Sequence, residues 1–351
     1  MESRRIAEDC VHFRGDIPCQ PHKEKGVKCK CEFYEKRGKR ILIIKLGAMG
    51  DVLRSTPISA KLRIAFPRCE ITWVTNFPEA AKDASDVCLK FDAKALAVLT
   101  ADSFDILYNF DKDKEACALA ALVRARVKKG FTLRNGKCAP IDGDAQHKFV
   151  TGVFDDESKA NTKSYQEEMF EIAGLRFDGE EYETSIVEKA WKMPQGKIIG
   201  LNTGGAARWT ARLWPDGHWA ALATLLKKKG YTPLLLGGEA EDEKNKAIAK
   251  RTGALYLGHF PFDEFTSLVQ RCDAVVTCVT LGLHAAIGAK RKVIILNNIF
   301  NPHEFELYGR GTILGPPKAC VCFYRSTCRY GESCMKNITP ESVVKALEGL
   351  L

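Results

Sequence analysis

Apolar runs of strand length alternate with helical patterns from residue 41 onward. The run ILIIKL (41–46) is continuous, which is typical of a strand buried on both faces. Apolar residues between 51 and 66 then recur at helical spacing. Further strands are predicted for EITWVT (70–75), VCLKF (87–91) and FDILYNF (104–110), with helical patterns between them. This βαβα order predicts a parallel sheet covered by helices.

A second series of the same kind follows in the other half of the chain. Its predicted strands are KIIGLN (197–202), TPLLLGG (232–238), DAVVTC (273–278) and KVIILNN (292–298). Amphipathic stretches separate these strands, and the chain closes with a predicted helix, TPESVVKALEGLL (339–351). We therefore expect an α/β protein with two Rossmann-like, doubly wound domains and a ligand cleft at the carboxyl ends of the strands.

Changes in composition divide the chain into three parts. A polar arm rich in Cys and His covers 1–38, and the two predicted domains cover 39–190 and 191–351. The boundary between the domains is placed in an acidic stretch that later carries Pro and Gly, 176–196. The polar stretch 133–163 is predicted to be irregular. A length of 351 residues favours two cores over one.

Charge and hydropathy argue against a membrane-spanning or secreted protein and leave several anionic partners open. The net charge of +9 suits an anionic ligand, a nucleic acid or an acidic membrane surface, and solubility alone explains it equally well. No arginine-rich tract or aromatic–basic motif gives a clear nucleic-acid signal. No apolar run approaches the roughly 18 residues of a membrane span, and no secretory signal is evident. We therefore expect a cytoplasmic protein.

A small-residue loop, GAMGD, follows the first predicted strand. Gly47 and Gly50 have GxxG spacing, which differs from the GxGxxG dinucleotide fingerprint, and no P-loop motif occurs in the chain. The loop presents Asp51 at the start of a helix and at the cleft end of the sheet. Asp51 is therefore either a helix N-cap or an ionised carboxylate with a chemical role.

Two further loops in the second half favour anions. In NTGGAARWTARLWP (202–215), the backbone N–H groups from Thr203 to Ala206, which include those of Gly204 and Gly205, can cradle an oxyanion, with charge from Arg208 or Arg212. The alternative is a flexible loop whose arginines face water.

The second anion loop is VTLGLHAA (279–286). Thr280 opens a predicted helix whose N-terminus favours negative charge, and His284 lies one turn inside it. The alternative is that Thr280 only caps the helix and His284 is structural. Two anion loops facing one carboxylate suit sugar transfer, in which a nucleotide-diphosphate donor binds the second domain and Asp51 deprotonates an acceptor hydroxyl.

Four segments resemble the ADP-heptose:lipopolysaccharide heptosyltransferase family over roughly residues 40–351. They are ILIIKLGAMGDVLRSTP, RLWPDGHWAALATLLKKKGYTPLLLGG, VVTCVTLGLHAAIGAKRKVIIL and the Cys-rich ending CVCFYRSTCRYGESCMKNITPESV, which resembles one branch of the family. The resemblance implies the GT-B fold of two facing Rossmann-like domains. It also implies glycosyltransferase activity without a catalytic cofactor.

The resemblance also assigns roles to residues. By position, Asp51 is the base, Arg212 lies near the donor phosphates, and Thr280, Gly282 and His284 match the donor loop. Glu243, after the Gly237–Gly238 turn, is assigned to the nucleotide ribose. The family usually carries an Asp before the donor-loop Thr, where this chain has Val279. This difference leaves the donor sugar open.

The fourteen cysteines include two clusters. One lies in the arm, at Cys10, Cys19, Cys29 and Cys31, and the other in a Cys-rich loop (318–336), at Cys320, Cys322, Cys328 and Cys334. Neither has paired CxxC knuckles. Structural zinc, an iron–sulfur cluster, disulfides, free thiols and a site shared by both clusters all remain open; a metal ion would be structural rather than catalytic.

The leading hypothesis is an inverting glycosyltransferase that acts in lipopolysaccharide biosynthesis. It would move heptose or a related sugar from an ADP-linked donor to a hydroxyl of a lipopolysaccharide-core-like or other surface glycan, with peripheral inner-membrane contact if the acceptor is lipid-linked. The first alternative is a catalytically weakened GT-B protein that binds a nucleotide-sugar or a partner and carries structural metal. The second is a related enzyme that acts on another anionic acceptor, such as a nucleic acid.

Overall fold

Two separate β-sheets organise the chain. A computed structural model describes residues 6–205 and 209–351. The predicted anion-binding residues Ala206 and Arg208 therefore lie outside the described residues. Each sheet carries helices that follow its strands along the chain, which is the arrangement that the two series of apolar runs predict.

The first sheet has the strand order β3-β2-β1-β4-β5-β6 among the described residues. Strands β1 to β5 run parallel, and β6 pairs antiparallel with β5. Strand β1 is fully buried in its interior because its apolar run faces helices on both sides. The strands are β1 (Arg40–Ile44), β2 (Glu70–Thr75), β3 (Val87–Lys90), β4 (Ser103–Asn109), β5 (Arg124–Arg134) and β6 (Lys137–Pro140).

One short helix, α1 (Gln20–Lys25), lies in the N-terminal arm before β1. The helices that follow β1 in this half are α2 (Met49–Leu53), α3 (Pro57–Ala65), α4 (Ala93–Ala101), α5 (Lys114–Leu122), α6 (Gln146–Thr151), α7 (Asp155–Ala160) and α8 (Tyr165–Ala173). The helical pattern predicted for 51–66 is divided between α2 and α3. Pro57 explains the break, because proline lacks an N–H and is accepted only in the first turn of a helix.

The second sheet is parallel and has the order β11-β10-β9-β7-β8 among the described residues. Its strands are β7 (Ile198–Asn202), β8 (Thr232–Leu236), β9 (Ala274–Cys278), β10 (Lys292–Leu296) and β11 (Gly311–Leu314). Its helices are α9 (Asp216–Lys228), α10 (Asp242–Thr252), α11 (Phe262–Gln270), α12 (Leu281–Gly288) and α13 (Pro340–Leu350).

Short 3-10 helices occur in the connecting loops. They are Pro78–Ala80, Lys82–Ala84, Gly143–Ala145, Thr210–Arg212, Glu239–Glu241, Pro302–Glu304 and Cys334–Asn337. Between Ala173 and Ile198, a segment described throughout, the chain forms no helix or strand. The predicted domain boundary near 190 falls in this segment and stays a prediction.

The stretch predicted to be irregular, 133–163, is more regular than expected. It contains the end of β5, the strand β6 and the helices α6 and α7. The basic start of β5, RARVKK, lies toward the edge of the sheet, where polar side chains can face water. A search for continuous apolar runs therefore does not find β5.

The core continues from one sheet to the other. A single cluster of buried apolar residues includes Ile41 and Val52 of the first half together with Val275 and Leu283 of the second. The two halves therefore share packing beneath the cleft. None of the described helices has the length and apolar character needed to cross a membrane.

Candidate active site

A cavity of about 780 Å³ lies between the two sheets. Its walls include the loops that follow β1, β7, β8, β9 and β10, at the carboxyl ends of these parallel strands. In the first sheet the strand order reverses between β1 and β4, and in the second between β7 and β9. Such reversal points open a crevice between neighbouring loops, so the topology of both sheets directs ligands to this cavity.

Asp51 forms part of the wall on the side of the first sheet. It lies in the first turn of α2, where its carboxylate accepts a hydrogen bond from Ala48 N–H (3.3 Å). Arg54, one turn further on, contacts the same carboxylate at 2.8 Å. The Asp51 side chain is 35% exposed, so it remains accessible to a ligand in the cavity.

The charges around Asp51 hold it in the ionised form. Burial opposes ionisation, but the positive charges of Arg54 and then Lys45 outweigh burial and lower the pKa of the Asp51 carboxyl to about 2. Arg54 itself is fixed by Tyr165, since its guanidinium lies 3.6 Å from the centre of that ring.

A buried ion pair supports the loop beneath Asp51. Lys45 and Asp111 contact each other and are 3% and 5% exposed. Lys45 Nζ also donates to the carbonyl oxygen of Gly47 (2.8 Å), and Asp111 accepts from Gly47 N–H (3.4 Å). The pair therefore holds both polar groups of Gly47, at the start of the loop that carries Asp51.

The opposite wall contains a glycine turn backed by a carboxylate. Gly204 and Gly205 line the cavity after β7. Glu241 accepts hydrogen bonds from Gly205 N–H (3.4 Å) and Gly238 N–H (3.0 Å), and its side chain also lines the cavity. A Cβ atom on Gly205 would lie 2.3 Å from Leu213 Cδ2, so a larger residue at this position would displace that leucine side chain.

Helix α12 presents its N-terminus to the same cavity. Thr280 caps the helix, since its Oγ1 accepts a hydrogen bond from Gly282 N–H (3.2 Å). Asn202 donates to Thr280 Oγ1 (2.9 Å) and fixes the cap against β7. Both Thr280 and Gly282 line the cavity, where the exposed N–H groups of a helix N-terminus favour a phosphate.

Arg212 supplies positive charge beside this helix N-terminus. Its side chain lines the cavity between the rings of Trp209 and Phe300, which lie 5.9 and 5.8 Å from the guanidinium carbon. Arg212 Nε is buried and has no hydrogen-bond acceptor within the described parts of the chain. A buried donor without a partner is unfavourable, so an anionic ligand is the natural acceptor.

His284 joins the two halves of the molecule at the cavity floor. Its Nδ1 pairs with the hydroxyl of Tyr182 at 3.1 Å. A Cβ atom added to Gly50 would lie 2.5 Å from His284 Cδ2, so helix α2 approaches α12 as closely as glycine allows. Burial, reinforced by the charge of Arg54, lowers the pKa of His284 to about 3, and its ring is therefore neutral near pH 7.

Another acid completes the wall beside Arg54. Glu304 lies 4.0 Å from Arg54 and accepts a hydrogen bond from the hydroxyl of Tyr324 (2.8 Å). Burial raises the pKa of Glu304. Glu304 and Tyr324 both line the cavity, although they come from distant loops of the second half.

The cavity contains most of the residues predicted from the sequence. Lining it are Asp51, Gly204, Gly205, Arg212, Thr280, Gly282 and His284. Thr203 is 2% exposed beneath the turn, and its hydroxyl donates to Asn245 (2.6 Å). The structure does not bring Glu243 to the cavity: its side chain is 88% exposed and pairs with Lys246. Glu241, two residues earlier, lines the cavity instead.

Sequence reasoning also missed several cavity residues, namely Arg54, Trp209, Glu304, Tyr324 and the aromatic trio Phe260, Phe262 and Phe265. Arg54 had a detectable signal, since it follows Asp51 by three residues and so shares a helix face with it. Glu304 also had a signal, since it lies in the loop that follows the predicted strand 292–298. Tyr324 had none, because it lies in the Cys-rich loop and only the fold brings that loop to the cleft.

The C-terminal cysteines lie close together. Cys322 Sγ and Cys328 Sγ are 3.9 Å apart, Cys322 N–H donates to Cys320 Sγ (3.4 Å), and Cys320 lies beside Cys334. The arm cysteines share the walls of a second cavity of about 610 Å³. Within residues 6–205 and 209–351, no group of three or more Cys, His, Asp or Glu side chains is placed so that it could hold a metal ion as it stands.

Comparison with known proteins finds similarity to heptosyltransferases. The model of glycosyltransferase family 9 (heptosyltransferase) matches residues 156–328. Lipooligosaccharide heptosyltransferase 2 of Haemophilus influenzae is 24% identical over 360 residues, covering 89% of this chain and 99% of the relative.

Solved structures show a similar fold. A glycosyl transferase family 9 protein from Veillonella parvula has a TM-score of 0.67 and 18% identity, with 89% of this chain and 97% of that chain covered. The E. coli heptosyltransferase WaaC with ADP-2-deoxy-2-fluoro heptose has a TM-score of 0.62 and 18% identity, with 88% and 99% covered. The GT-B architecture predicted from the sequence is therefore confirmed.

Proposed function

Since this chain belongs to glycosyltransferase family 9, the heptosyltransferase family, we propose that it moves heptose or a related sugar from an ADP-linked donor to a glycan hydroxyl. One observation carries the proposal: a single cavity holds the carboxylate of Asp51 on one wall and, on the other, a helix N-terminus and Arg212, whose buried Nε has no acceptor among the described residues. These are the groups that a nucleophile and a diphosphate leaving group require.

The donor is proposed to bind along the wall of the second half. Its diphosphate would accept hydrogen bonds from the N-terminus of α12 and from Arg212 Nε. The nucleoside would extend toward the Gly204–Gly205 turn, where Glu241 can accept hydrogen bonds from ribose hydroxyls. The structure of E. coli WaaC with ADP-2-deoxy-2-fluoro heptose supports an ADP-linked donor, since both proteins share this fold.

The proposed reaction is a single displacement at the anomeric carbon. An acceptor hydroxyl oxygen forms a bond to that carbon while the bond from the carbon to the diphosphate oxygen breaks, which inverts the configuration. The hydroxyl proton passes to Asp51, and the negative charge released with ADP is stabilised by Arg212 and the α12 N-terminus. Because the pKa of Asp51 is about 2, its carboxylate is ionised and ready, and proton transfer comes late in the step.

Replacing Asp51 by Asn tests the proposal. We expect Asp51→Asn to lower kcat by about 10²- to 10⁴-fold in a transfer assay with ADP-heptose, while ADP affinity measured by calorimetry stays unchanged. Asp156→Asn, at an exposed position of α7, is the matched control and should leave both values unaltered. Unchanged turnover in Asp51→Asn would remove the base role.

The donor sugar is the part of the proposal that Val279 affects. Val279 is 8% exposed on the cavity wall, immediately before Thr280, where the family usually carries an Asp. A valine cannot accept hydrogen bonds from sugar hydroxyls, so we propose a donor with fewer hydroxyls on that side than heptose. A panel of ADP-sugars tests this, and Val279→Asp should raise kcat/KM for ADP-heptose about tenfold.

A wild-type protein that binds ADP-sugars and transfers none of them would favour the alternative, a binding module.

The acceptor is proposed to be a lipopolysaccharide-core-like or other surface glycan that is lipid-linked at the cytoplasmic face of the inner membrane. The related Haemophilus influenzae protein is named for lipooligosaccharide, and the net charge of +9 suits an anionic surface. Transfer to purified core acceptors, with and without lipid A, tests the glycan, and flotation with anionic vesicles tests the membrane contact.

We also propose that Cys320, Cys322, Cys328 and Cys334 hold a structural zinc or iron centre. The separation of 3.9 Å between Cys322 Sγ and Cys328 Sγ matches the roughly 3.8 Å edge of a tetrahedron of thiolates around zinc. Two further N–H groups point at these sulfurs, since Arg329 N–H donates to Cys322 Sγ (3.4 Å) and Asn298 Nδ2 donates to Cys334 Sγ (3.4 Å).

The Cys-rich loop supports the donor wall, which gives this centre a measurable role. Ser333 donates to the carbonyl of Ala211 (2.5 Å), and Ala211 N–H donates to Ser326 (3.0 Å), next to Arg212. A Cys322→Ser/Cys328→Ser variant should lose one metal equivalent and bind ADP more weakly, by elemental analysis and calorimetry. Full retention of metal in this variant would contradict the proposal.

A further inference from the structure

The N-terminal arm has no hydrophobic core of its own. Among residues 6–38, only Pro21 is buried. Apolar side chains such as Ile6 and Ile17 are 59% and 46% exposed. Apart from α1, the arm is held by a few hydrogen bonds, among them Val11 N–H to Glu35 O (2.8 Å) and Tyr34 to Asp9 (2.9 Å). A segment of this size without a buried core usually requires a covalent or metal crosslink.

Soft metal ligands occupy the place where a core would be. The cavity of about 610 Å³ in the arm is lined by all the cysteines and histidines of the segment: Cys10, His12, Cys19, His22, Cys29 and Cys31. These residues form three pairs of near neighbours in the chain, and the fold of the arm brings the three pairs to the same cavity. The cysteines carry no disulfides.

Hydrogen bonds fix the backbone at two of the arm cysteines and the ring of His22. Cys10 and Cys31 each open a tight turn, because Phe13 N–H donates to Cys10 O (3.0 Å) and Tyr34 N–H to Cys31 O (3.0 Å). His22 Nδ1 bonds to the carbonyl of Val27 at 2.7 Å, which fixes the ring and leaves Nε2 available.

We propose that Cys10, Cys19, Cys29 and Cys31 bind one tetrahedral metal ion of the Zn²⁺ or Fe²⁺ class, which folds the arm. Thiolates are the ligands that these ions prefer. Among the described residues these donors line one cavity but are not placed to hold an ion as they stand, so the proposal requires the four sulfurs to move together on binding. This site is independent of the sugar-transfer proposal and of the centre proposed in the Cys-rich loop.

Metal analysis of the full-length chain, purified without oxygen, tests the site. Cys10→Ser/Cys19→Ser should lose about one metal equivalent relative to wild type, and the choice between zinc and iron follows from the element lost. Cys88→Ser/Cys138→Ser, at half-buried positions outside both clusters, is the matched control and should lose none. After Co²⁺ substitution, the visible bands of tetrahedral thiolate ligation should weaken only in the arm variant.

Limited proteolysis provides a second readout that does not depend on activity. A chelator should expose the arm of the wild-type chain to cleavage, and re-addition of the metal should protect it again. The proposal is overturned if the arm variant keeps its full metal content, if the chelator leaves arm cleavage unchanged, or if alkylation shows the four cysteines paired as disulfides.

Discussion

Asp51 and Arg54 form a pair whose charge balance determines how the candidate base behaves. The arginine lies within 2.8 Å of the carboxylate and on the face of Tyr165, so it has little freedom to move away. An ion pair of this kind favours the ionised acid and makes it a weaker proton acceptor. Glu304, 4.0 Å from the same arginine, is a second acid that shares the charge of Arg54.

Removing the charge of Arg54 should raise the pKa of Asp51. In the wild type this pKa is lowered to about 2, so the carboxylate is ionised above that pH and protonates only below it. Arg54→Gln should move the titration toward higher pH by about one to two units, because the largest favourable charge is lost. The carboxyl resonance of Asp51, followed by ¹³C NMR, gives the measurement.

Arg54→Lys keeps a positive charge near the same place and should titrate close to wild type. An Asp51 titration that stays at its original pH in Arg54→Gln would show that Lys45, rather than Arg54, dominates the local potential.

Glu241 and Glu243 form a matched pair of acids on either side of the start of α10. Only Glu241 lines the cavity. We expect Glu241→Gln to weaken ADP binding by about 10- to 100-fold, since a hydrogen bond to a charged group contributes about 1.5–3 kcal/mol. Glu243→Gln should bind ADP like wild type. Calorimetric titration of both variants decides between them, and a loss confined to Glu243→Gln would restore the sequence-based assignment.

At the scale of elements, the N-terminus of α12 is held in place by close packing against the end of β7. A Cβ atom on Gly282 would lie 2.4 Å from Asn202 Nδ2, the group that holds Thr280 in its capping position. The helix end, the cap and the strand therefore act as one unit, and a change at any of them displaces the proposed phosphate site.

Gly282→Ala should therefore damage donor binding and stability together. Overpacking of this kind costs about 1–3 kcal/mol, and we expect a lower Tm and weaker ADP binding. Gly217→Ala in α9 is the matched control, because its Cβ would meet nothing within 4 Å, and it should leave Tm equal or slightly higher. Unaltered ADP affinity in Gly282→Ala would separate the donor site from this helix end.

The observed strands and helices show which secondary structure the sequence pattern alone could predict. Buried strands such as β1 and β9 were predicted within a residue or two, since a continuous apolar run has few other interpretations. Strand β5 was missed, because a basic strand near a sheet edge carries no such run. The interruption between α2 and α3 was present in the sequence as Pro57, but the helical spacing of apolar residues concealed it.

At the scale of the whole molecule, the two halves meet where α2 crosses α12. Gly50 and His284 are in close approach there, and Tyr182, from the segment between the sheets, pairs with the same imidazole. The distance between Asp51 and the donor wall is therefore set by a contact that only a glycine permits.

Gly50→Ala should push the two halves apart. The added Cβ would lie 2.5 Å from His284 Cδ2, so we expect a lower Tm and a lower kcat, with an energetic cost of about 1–3 kcal/mol. In a His284→Ala background the same change should cost much less, because the ring that it meets is absent. Equal shifts of Tm in both backgrounds would show that Gly50 is required for another reason.

The sequence by itself determined the two-sheet architecture and the placement of Asp51, Arg212 and Thr280 in loops at one cleft. These features are local, since apolar runs specify buried strands, and loops at the ends of parallel strands must meet at one edge. Only the tertiary structure decided that Glu241 rather than Glu243 faces the cavity, that Glu304 lies beside Arg54, and that Tyr324 of the Cys-rich loop belongs to the site. The reason is physical: the side of a helix that meets a ligand depends on how its turn packs, and contacts between distant loops exist only after the two halves have closed on each other.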